Sequence, residues 1–537
     1  MSENGLNTLL IGIDAACDPV LEPLLEKDAL PNLQSIIEEG ASAPLESQIP
    51  PWTASAWPSM YTGVNPGKHG VFGFLDYDGY DWDVVNATHV REAALWDLLS
   101  HHEMTSVVVN VPVTAPPPEI NGAVVPGYTA PENPQCHPEG TLEELREALG
   151  EYRVYPDSNR AQPGEYVDLV RMRGAAFRYL AAKHDPEFGF VQFQGTDSVF
   201  HEHPNRDDYV EAIYRAVDEE IGDLLESCDP ATVVVASDHG MGPYDEYELR
   251  VNEFLDDAGY VETTTGGSGM PAWLPMLNSQ LREGEDAQAP SPGLAGRAIG
   301  AAAQVGITPA RAGKALRAAG LEGVVKRVIP ADARRAGNEQ VDFASSTAYM
   351  RSRIELGLRM NVEGREPEGI VPESEYESVR EEIVGVLSEI ETPDGKPMFE
   401  NVAPREEHFW GPYAENGVDI VMIPNEFEQF LSADFKGEIF GPPTEPYNHK
   451  LDGMIAVSGE GVDTEADLSG AHIFDVAPTI CSMLGIARST RMDGSVLSIV
   501  KRTEEYEYPE LDGSIRETND EEIEDRLSAL GYLEGNE

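Results

Sequence analysis

Basic side chains are scarce in this chain. Of its 537 residues, 37 are Lys or Arg and 96 are Asp or Glu, a formal charge of −59 with an isoelectric point near 4.3. Lysine is the rarer of the two cations, and the acid is spread along the whole length. A surface of that sign repels a phosphate backbone or an anionic bilayer, which excludes a whole-surface binder of either and any nucleic-acid polymer as partner. The composition is halophile-like: strongly charged surfaces stay soluble in concentrated salt. At 1 M salt a Debye length of about 3 Å screens the self-repulsion. Cysteine is also rare. Cys17, Cys136, Cys228 and Cys481 stand far apart without a CxxC pair, which excludes a disulfide frame and a thiolate zinc site. No window holds 18 uninterrupted apolar residues, and the opening MSENGLNTLLIGIDA has no basic region. A transmembrane span and a signal peptide are therefore not expected, and a cytoplasmic location is. No internal repeat is visible. Composition is silent on oligomeric state.

Apolar residues make up 41% of the chain, enough for a sizeable core, so global disorder is excluded. The length fits one large α/β domain with insertions, or two to three domains. Short apolar runs predict buried parallel strands at Leu9 to Ile13, Ser106 to Val111, Phe188 to Phe193, Thr232 to Ala236, Asp419 to Ile423 and Met454 to Val457. Helical patterns alternate with them: 31–40, ending on Gly40; 209–225; and 475–484, with Asp475 as N-cap and Gly485 as stop. The expected fold class is therefore α/β, a doubly wound and mostly parallel sheet sandwiched by helices. Composition shifts divide it into a first core part (1–262), an inserted helical lid or cap (263–345), a second core part (346–510) and an acidic tail with a docked helix (511–537). Within the insertion, residues 282–335 carry nine basic and five acidic side chains. That stretch reads as an ordinary packing hairpin or as a basic surface for an anionic substrate.

Carboxylates and imidazoles recur at the ends of the expected strands. Asp14 closes the first. Asp197 and His201 follow FVQFQ, and Asp238-His239 follows TVVVAS. His449 precedes GMIAVSG. Ligand sites of open α/β sheets lie at the carboxyl ends of strands, so these residues can converge. Three carboxylates and three imidazoles make two mixed nitrogen/oxygen sites, suited to two divalent ions, zinc first and manganese as an alternative. The i,i+4 spacing of Asp197 and His201 puts both on one face of a helix. Taken singly, each of these residues has a plainer reading as a turn, cap or surface group. In Pro50-Pro-Trp-Thr53 the threonine stands where a helix begins. It is either a helix cap or, beside a metal, a hydroxyl activated as a nucleophile at the positive end of a helix dipole.

Asp14, the Thr53 segment, TDSVFH, SDHG and Asn448-His449 occur in an order that resembles the alkaline phosphatase superfamily, and within it the type I phosphodiesterase/nucleotide pyrophosphatase family. LWDLL (95–99), NVPVTAPP (110–117), GREPEGIV (364–371), DVAPTI (475–480) and the terminal LSALGYL are similar as well. The resemblance covers most of the chain outside roughly 263–340. It implies a two-metal phosphoester hydrolase acting on a small-molecule substrate, with Thr53 as nucleophile and a phospho-threonyl intermediate. One metal site would use Asp14, Asp238 and His239, the other Asp197, His201 and His449. One departure stands out. The family's nucleotide pyrophosphatases carry an Asn 21 residues after the nucleophile, where it holds a phosphoryl oxygen; here that position is Phe74. His69 and Lys68 are the nearby replacement candidates. The sulfatase pattern C/S-x-P-x-R is absent from Thr53-Ala-Ser-Ala-Trp. Within the superfamily a phosphomonoesterase or phosphomutase is the alternative, followed by a phosphoryl-group transferase and a non-catalytic binding protein.

Overall fold

The computed structural model describes residues 5–157, 161–265 and 339–509. In chain order, the first elements that matter for the site are β1 (Thr8–Ile13), α1 (Pro31–Glu39), β2 (Ala41–Glu46), α2 (Thr53–Thr62), β3 (Ser106–Val109) and β4 (Gly122–Val125). Next come α3 (Pro163–His184), β5 (Phe188–Phe193), α4 (Gly195–Glu202), α5 (Asp207–Cys228), β6 (Thr232–Ala236) and β7 (Gly240–Pro243). The last group is β8 (Gly357–Met360), β9 (Phe399–Pro404), β10 (Ile420–Pro424), β11 (Tyr447–Lys450), β12 (Asp452–Gly459) and α6 (Val476–Met483). Seven strands form one sheet in the order β2-β12-β6-β1-β5-β3-β4. Every neighbouring pair is parallel except those made by β12. This is the expected α/β sandwich.

The central strands β1, β5 and β6 are buried along their whole length and mostly apolar because both faces are covered. Successive side chains alternate between the faces. Leu9, Ile11, Ile13, Val191 and Val235 pack with α1, α3 and α5. Leu10, Val108, Phe190 and Val234 pack on the other side with Trp57 and Met60 of α2 and Ile480 of α6. Two of the expected parallel strands differ in the structure. Met454 to Val457 lies in β12, which is antiparallel to β6. Asp419 to Ile423 is centred on β10, which belongs to a separate antiparallel sheet with β8 and β9. An apolar run reports burial on both faces; it does not report direction, which the connections decide.

The three expected helices lie at Pro31–Glu39, Asp207–Cys228 and Val476–Met483. Two of their expected ends are built differently. Gly40 has φ −124° and makes no left-handed cap; a Cβ there would sit 2.1 Å from the Val457 carbonyl oxygen of β12, so the requirement is close approach. Asp475 ends a short 3₁₀ turn, and its carboxylate accepts from the His472 and Ser495 amides instead of capping α6. All four cysteines are free. The 282–335 stretch and the tail helix lie outside the described residues. The chain on either side of 266–338 is joined by antiparallel pairing of Thr263–Thr265 with Glu339–Val341. Among the described residues no helix is long and apolar enough to cross a membrane.

In the antiparallel part, Asp419 is fully buried and accepts from Arg365, Arg405, Tyr376 Oη and the Met360 amide. Burial alone would raise its pKa, but the Arg365 hydrogen bonds and the Arg359, Arg365 and Arg405 charges outweigh it and hold it at about 2. A depressed carboxylate stabilises the fold above its unfolded-state value, near 3.9, and that contribution disappears as pH falls through the folded value. The stability gap between wild type and Asp419→Asn, measured by denaturant unfolding, should therefore be largest above pH 5 and shrink toward pH 2. A gap that does not change with pH would contradict this account. Gly12 of β1 supports the site more directly. A Cβ there would lie 2.6 Å from the Trp57 ring. Gly12→Ala should cost about 1–3 kcal/mol by overpacking, read as a lowered melting temperature, and should shift the Trp57 fluorescence.

Candidate metal centre

The carboxyl ends of β1, β5 and β6 meet at the middle of the sheet. Asp14 directly follows β1, and its amide donates to the Phe193 carbonyl at the end of β5. After β5 the chain turns into α4, whose first turns carry Asp197 and, one turn on, His201. Asp238 and His239 follow β6. His449 comes from far along the chain on β11, which pairs antiparallel with β7 just beyond His239, in register with Met241. Thr53 is the first residue of α2.

These seven side chains form one connected cluster. Thr53 Oγ1 lies 3.3 Å from His239 Nε2. That nitrogen is 3.3 Å from Asp238 Oδ2 and 3.5 Å from Asp14 Oδ1. The His239 and His449 rings stack at 3.7 Å. His449 Nε2 is 3.0 Å from His201 Nε2, and both face Asp197 Oδ1, at 3.3 and 3.1 Å respectively. The N-cap position of α2 is Trp52, and Thr53 is the first residue inside the helix, with its hydroxyl turned to His239, so its plainer reading as a helix cap does not hold.

The residues present fit paired cations. Asp14 Oδ1, Asp197 Oδ1 and Asp238 Oδ2 are buried without a well-directed hydrogen bond, whereas the other oxygens of Asp14 and Asp238 are held by the protein. Trp57 Nε1 and Gln192 Nε2 donate to Asp14 Oδ2 at 3.2 and 2.8 Å, and the Ala15 amide faces Asp238 Oδ1 at 3.4 Å. Asp14 and Asp238 are thus each oriented by one oxygen and leave the other without a well-directed partner. The donor atoms of Asp14, Asp238 and His239 lie within 4.8 Å of one another, as do those of Asp197, His239 and His449. Spacings of 3.1–3.5 Å between neighbouring donors suit ligands sharing an ion at about 2 Å.

The electrostatics point the same way. Among the described residues, the only basic groups paired with these three carboxylates are imidazoles. Burial, then the Asp238 and Asp197 charges, push Asp14 well above the usual carboxylate range. Burial and Asp197 do the same to Asp238. Asp197 goes the opposite way: burial raises it, but His201 and the His449 hydrogen bond outweigh that and hold it well below the normal value. Burial, then His449, drive His239 well down, and burial also lowers His449. Burial lowers His201 as well, but the Asp197 charge and hydrogen bond outweigh it and the net shift is upward. Among the described residues Asp14 and Asp238 therefore have no cationic side chain beyond an imidazole as partner, a deficit that a multivalent cation can fill.

The proposed phosphoryl-oxygen donors are not free for that role. Buried His69 spends Nε2 on Ser59 Oγ at 2.9 Å and Nδ1 on the Val71 amide at 3.2 Å; burial lowers its pKa to about 3, so it is a neutral packing residue. Lys68 Nζ is bound by Asp493 and the Arg491 carbonyl. Phe74 is buried edge-on against Tyr128. Sequence reasoning missed the supporting residues. Gln192 had a signal, a polar side chain inside the otherwise apolar strand FGFVQF. Ser47, which donates to the Asp238 carbonyl at 2.6 Å, and Tyr244, which donates to the His449 carbonyl at 2.6 Å, had none.

Comparison with known proteins agrees with this architecture. Phosphonoacetate hydrolase from Sinorhizobium meliloti 1021, solved with phosphonoformate, superposes with a TM-score of 0.54 at 16% identity, covering 88% of this chain and 94% of that one. Wild-type alkaline phosphatase PafA gives 0.52 at 14% identity, covering 93% and 99%. At such identities the likeness is one of fold. No curated protein matches the sequence. Residues 8–295, however, match the family model for type I phosphodiesterase / nucleotide pyrophosphatase. That match spans more than half of the chain and includes Asp14, Thr53, Asp197, His201, Asp238 and His239, so the chain belongs to the type I phosphodiesterase/nucleotide pyrophosphatase family of phosphoester hydrolases.

Proposed function

We propose that the chain is a two-metal phosphoester hydrolase in which Thr53 is the nucleophile. The observation that carries this reading is the placement of the Thr53 hydroxyl, 3.3 Å from His239 Nε2 and at the edge of a buried cluster of three carboxylates and three imidazoles. Asp14, Asp238 and His239 would hold one ion beside Thr53, and Asp197, His201 and His449 the other. Zinc suits this donor set, and manganese is compatible. When bound, such ions supply Lewis-acid stabilisation and lower the pKa of a hydroxyl or water.

The chain's own groups do the rest. Thr53 Oγ attacks phosphorus in line as the bond to the leaving oxygen breaks, and a phospho-threonyl ester forms. Water then attacks that phosphorus from the vacated side, and the Thr53 oxygen leaves. Two inversions give net retention. Thr53 stands at the start of a ten-residue helix, whose free amides and dipole favour a phosphoryl group there. Trp57 and Gln192 keep Asp14 turned inward. The buried surroundings raise the strength of every charge interaction in the site. Phe74 offers no polar atom where the resemblance puts an Asn, so a phosphoryl oxygen must take that contact from another group.

Thr53→Ala should keep both ions and lose about 10²-fold or more in turnover; near-normal turnover by that variant would remove the nucleophile assignment. His449→Ala should lose one ion or bind it at least about 10-fold more weakly, as read by metal analysis in molar KCl. Two ions held as tightly as in wild type would show that His449 is not a ligand. Bis-p-nitrophenyl phosphate assayed beside p-nitrophenyl phosphate and phosphonoacetate separates a diesterase from a monoesterase or a phosphonate hydrolase.

A further inference from the structure

Three imidazoles enter the cluster, and peptide carbonyls hold two of them. His239 Nδ1 faces the Gly240 carbonyl at 2.9 Å, and His449 Nδ1 faces the Pro51 carbonyl at 2.8 Å. A carbonyl only accepts, so Nδ1 carries the proton in each ring and Nε2 is left bare toward the carboxylates. Among the described residues no carbonyl does this for His201. Its Nδ1 faces Glu445 Oε2 at 3.9 Å. That is an electrostatic contact, longer than a hydrogen bond.

Glu445 is itself fixed from two sides. Arg353 Nη1 lies 2.6 Å from Oε1, and Asn448 Nδ2 donates to Oε2 at 2.8 Å. The Arg353 guanidinium rests over the Phe430 ring at 5.2 Å. His201 is also the cluster's solvent-facing ligand candidate. Its side chain is 26% exposed, against 8% or less for Asp14, Asp197, Asp238, His239 and His449. A partly exposed ring has more rotational freedom to lose and needs an outer partner more than a packed one does. The partner sits four residues before His449, so one short segment of chain serves two imidazoles.

We propose that Glu445, clamped by Arg353 and Asn448, is the positioning residue that sets the tautomer and ring orientation of His201, and so governs how tightly the solvent-facing half of the centre holds its ion. This rests on the two-metal reading. Outer carboxylate partners of ligating imidazoles are worth about 10- to 100-fold in metal affinity. Arg353 acts through Glu445 and not on the ion.

The test is Zn²⁺ titration of the full chain against a chelator in molar KCl, with Co²⁺ substitution as a spectroscopic check of the ligand field. Glu445→Ala should weaken one of two ions about 10- to 100-fold and alter the Co²⁺ bands, while the other ion and the melting temperature of metal-free protein stay unchanged. Glu445→Gln, which keeps an acceptor oxygen, should recover most of that affinity. Arg353→Ala should give a smaller loss, and none when added to Glu445→Ala. Excess Zn²⁺ should restore turnover in each. Unchanged affinity for both ions in Glu445→Ala overturns the proposal, as does an Arg353 effect that adds in full to it. Wild type that takes up only one ion defeats the two-metal reading itself, a result separable from failure of the Glu445 assignment alone.

Discussion

Three carboxylates share a largely buried space at the middle of the sheet, and among the described residues only imidazoles, and no arginine or lysine, are paired with them. Much of the surrounding structure is arranged around that fact. Burying one unpaired carboxylate is already costly, and placing three within a few ångströms is tolerable only with a cation among them. The protein orients these groups without satisfying them. Trp57 and Gln192 occupy one oxygen of Asp14 and the Ala15 amide faces one oxygen of Asp238, leaving the remaining oxygens inward. This is the arrangement of a binding site and not of a stabilised core.

The constraint reaches outward into packing. Gly12 must lack a side chain because Trp57 crosses β1 there to reach Asp14. The register of β11 against β7 places His449 over His239. The Pro51 carbonyl that orients His449 belongs to the same short segment that delivers Thr53. Thr53, the proposed nucleophile, and the distant imidazole of His449 are therefore positioned by one segment. The antiparallel part, tied by the buried Asp419 and its arginines, is a separate polar framework. Asp419 is paired with Arg365 and Arg405, whereas Asp14 and Asp238 of the candidate metal centre face only imidazoles among the described residues.

An excess of acid over the whole chain sharpens the contrast. Among the described residues most acidic side chains lie outside the buried set, where salt screens them. Asp14 and Asp238 do not, and burial rather than general surface charge drives their pKa values upward.

Much of this could be read from residue order alone. Strand-end acids, the Asp197–His201 spacing, the Asp238-His239 pair and a threonine opening a helix are local features, governed by periodicity and by where chains turn. A sheet's period of two and a helix's of 3.6 are properties of the backbone, so apolar runs revealed the parallel strands near Leu10, Val108, Phe190 and Val234. Other features needed the tertiary structure. The direction of β12 and the separate sheet around β10 depend on connections between segments, which an apolar run does not encode. Gln192, Ser47, Tyr244 and Glu445 act only through neighbours distant in sequence. His69 and Lys68 lie close to Thr53 along the chain yet are committed to other partners, because nearness in sequence does not constrain where a side chain finds its hydrogen bonds. Residue order determined which groups were available to bind a cation and break a phosphoester; three-dimensional packing decided which of their atoms face one another, since only folding brings residues four hundred positions apart within one hydrogen-bond length.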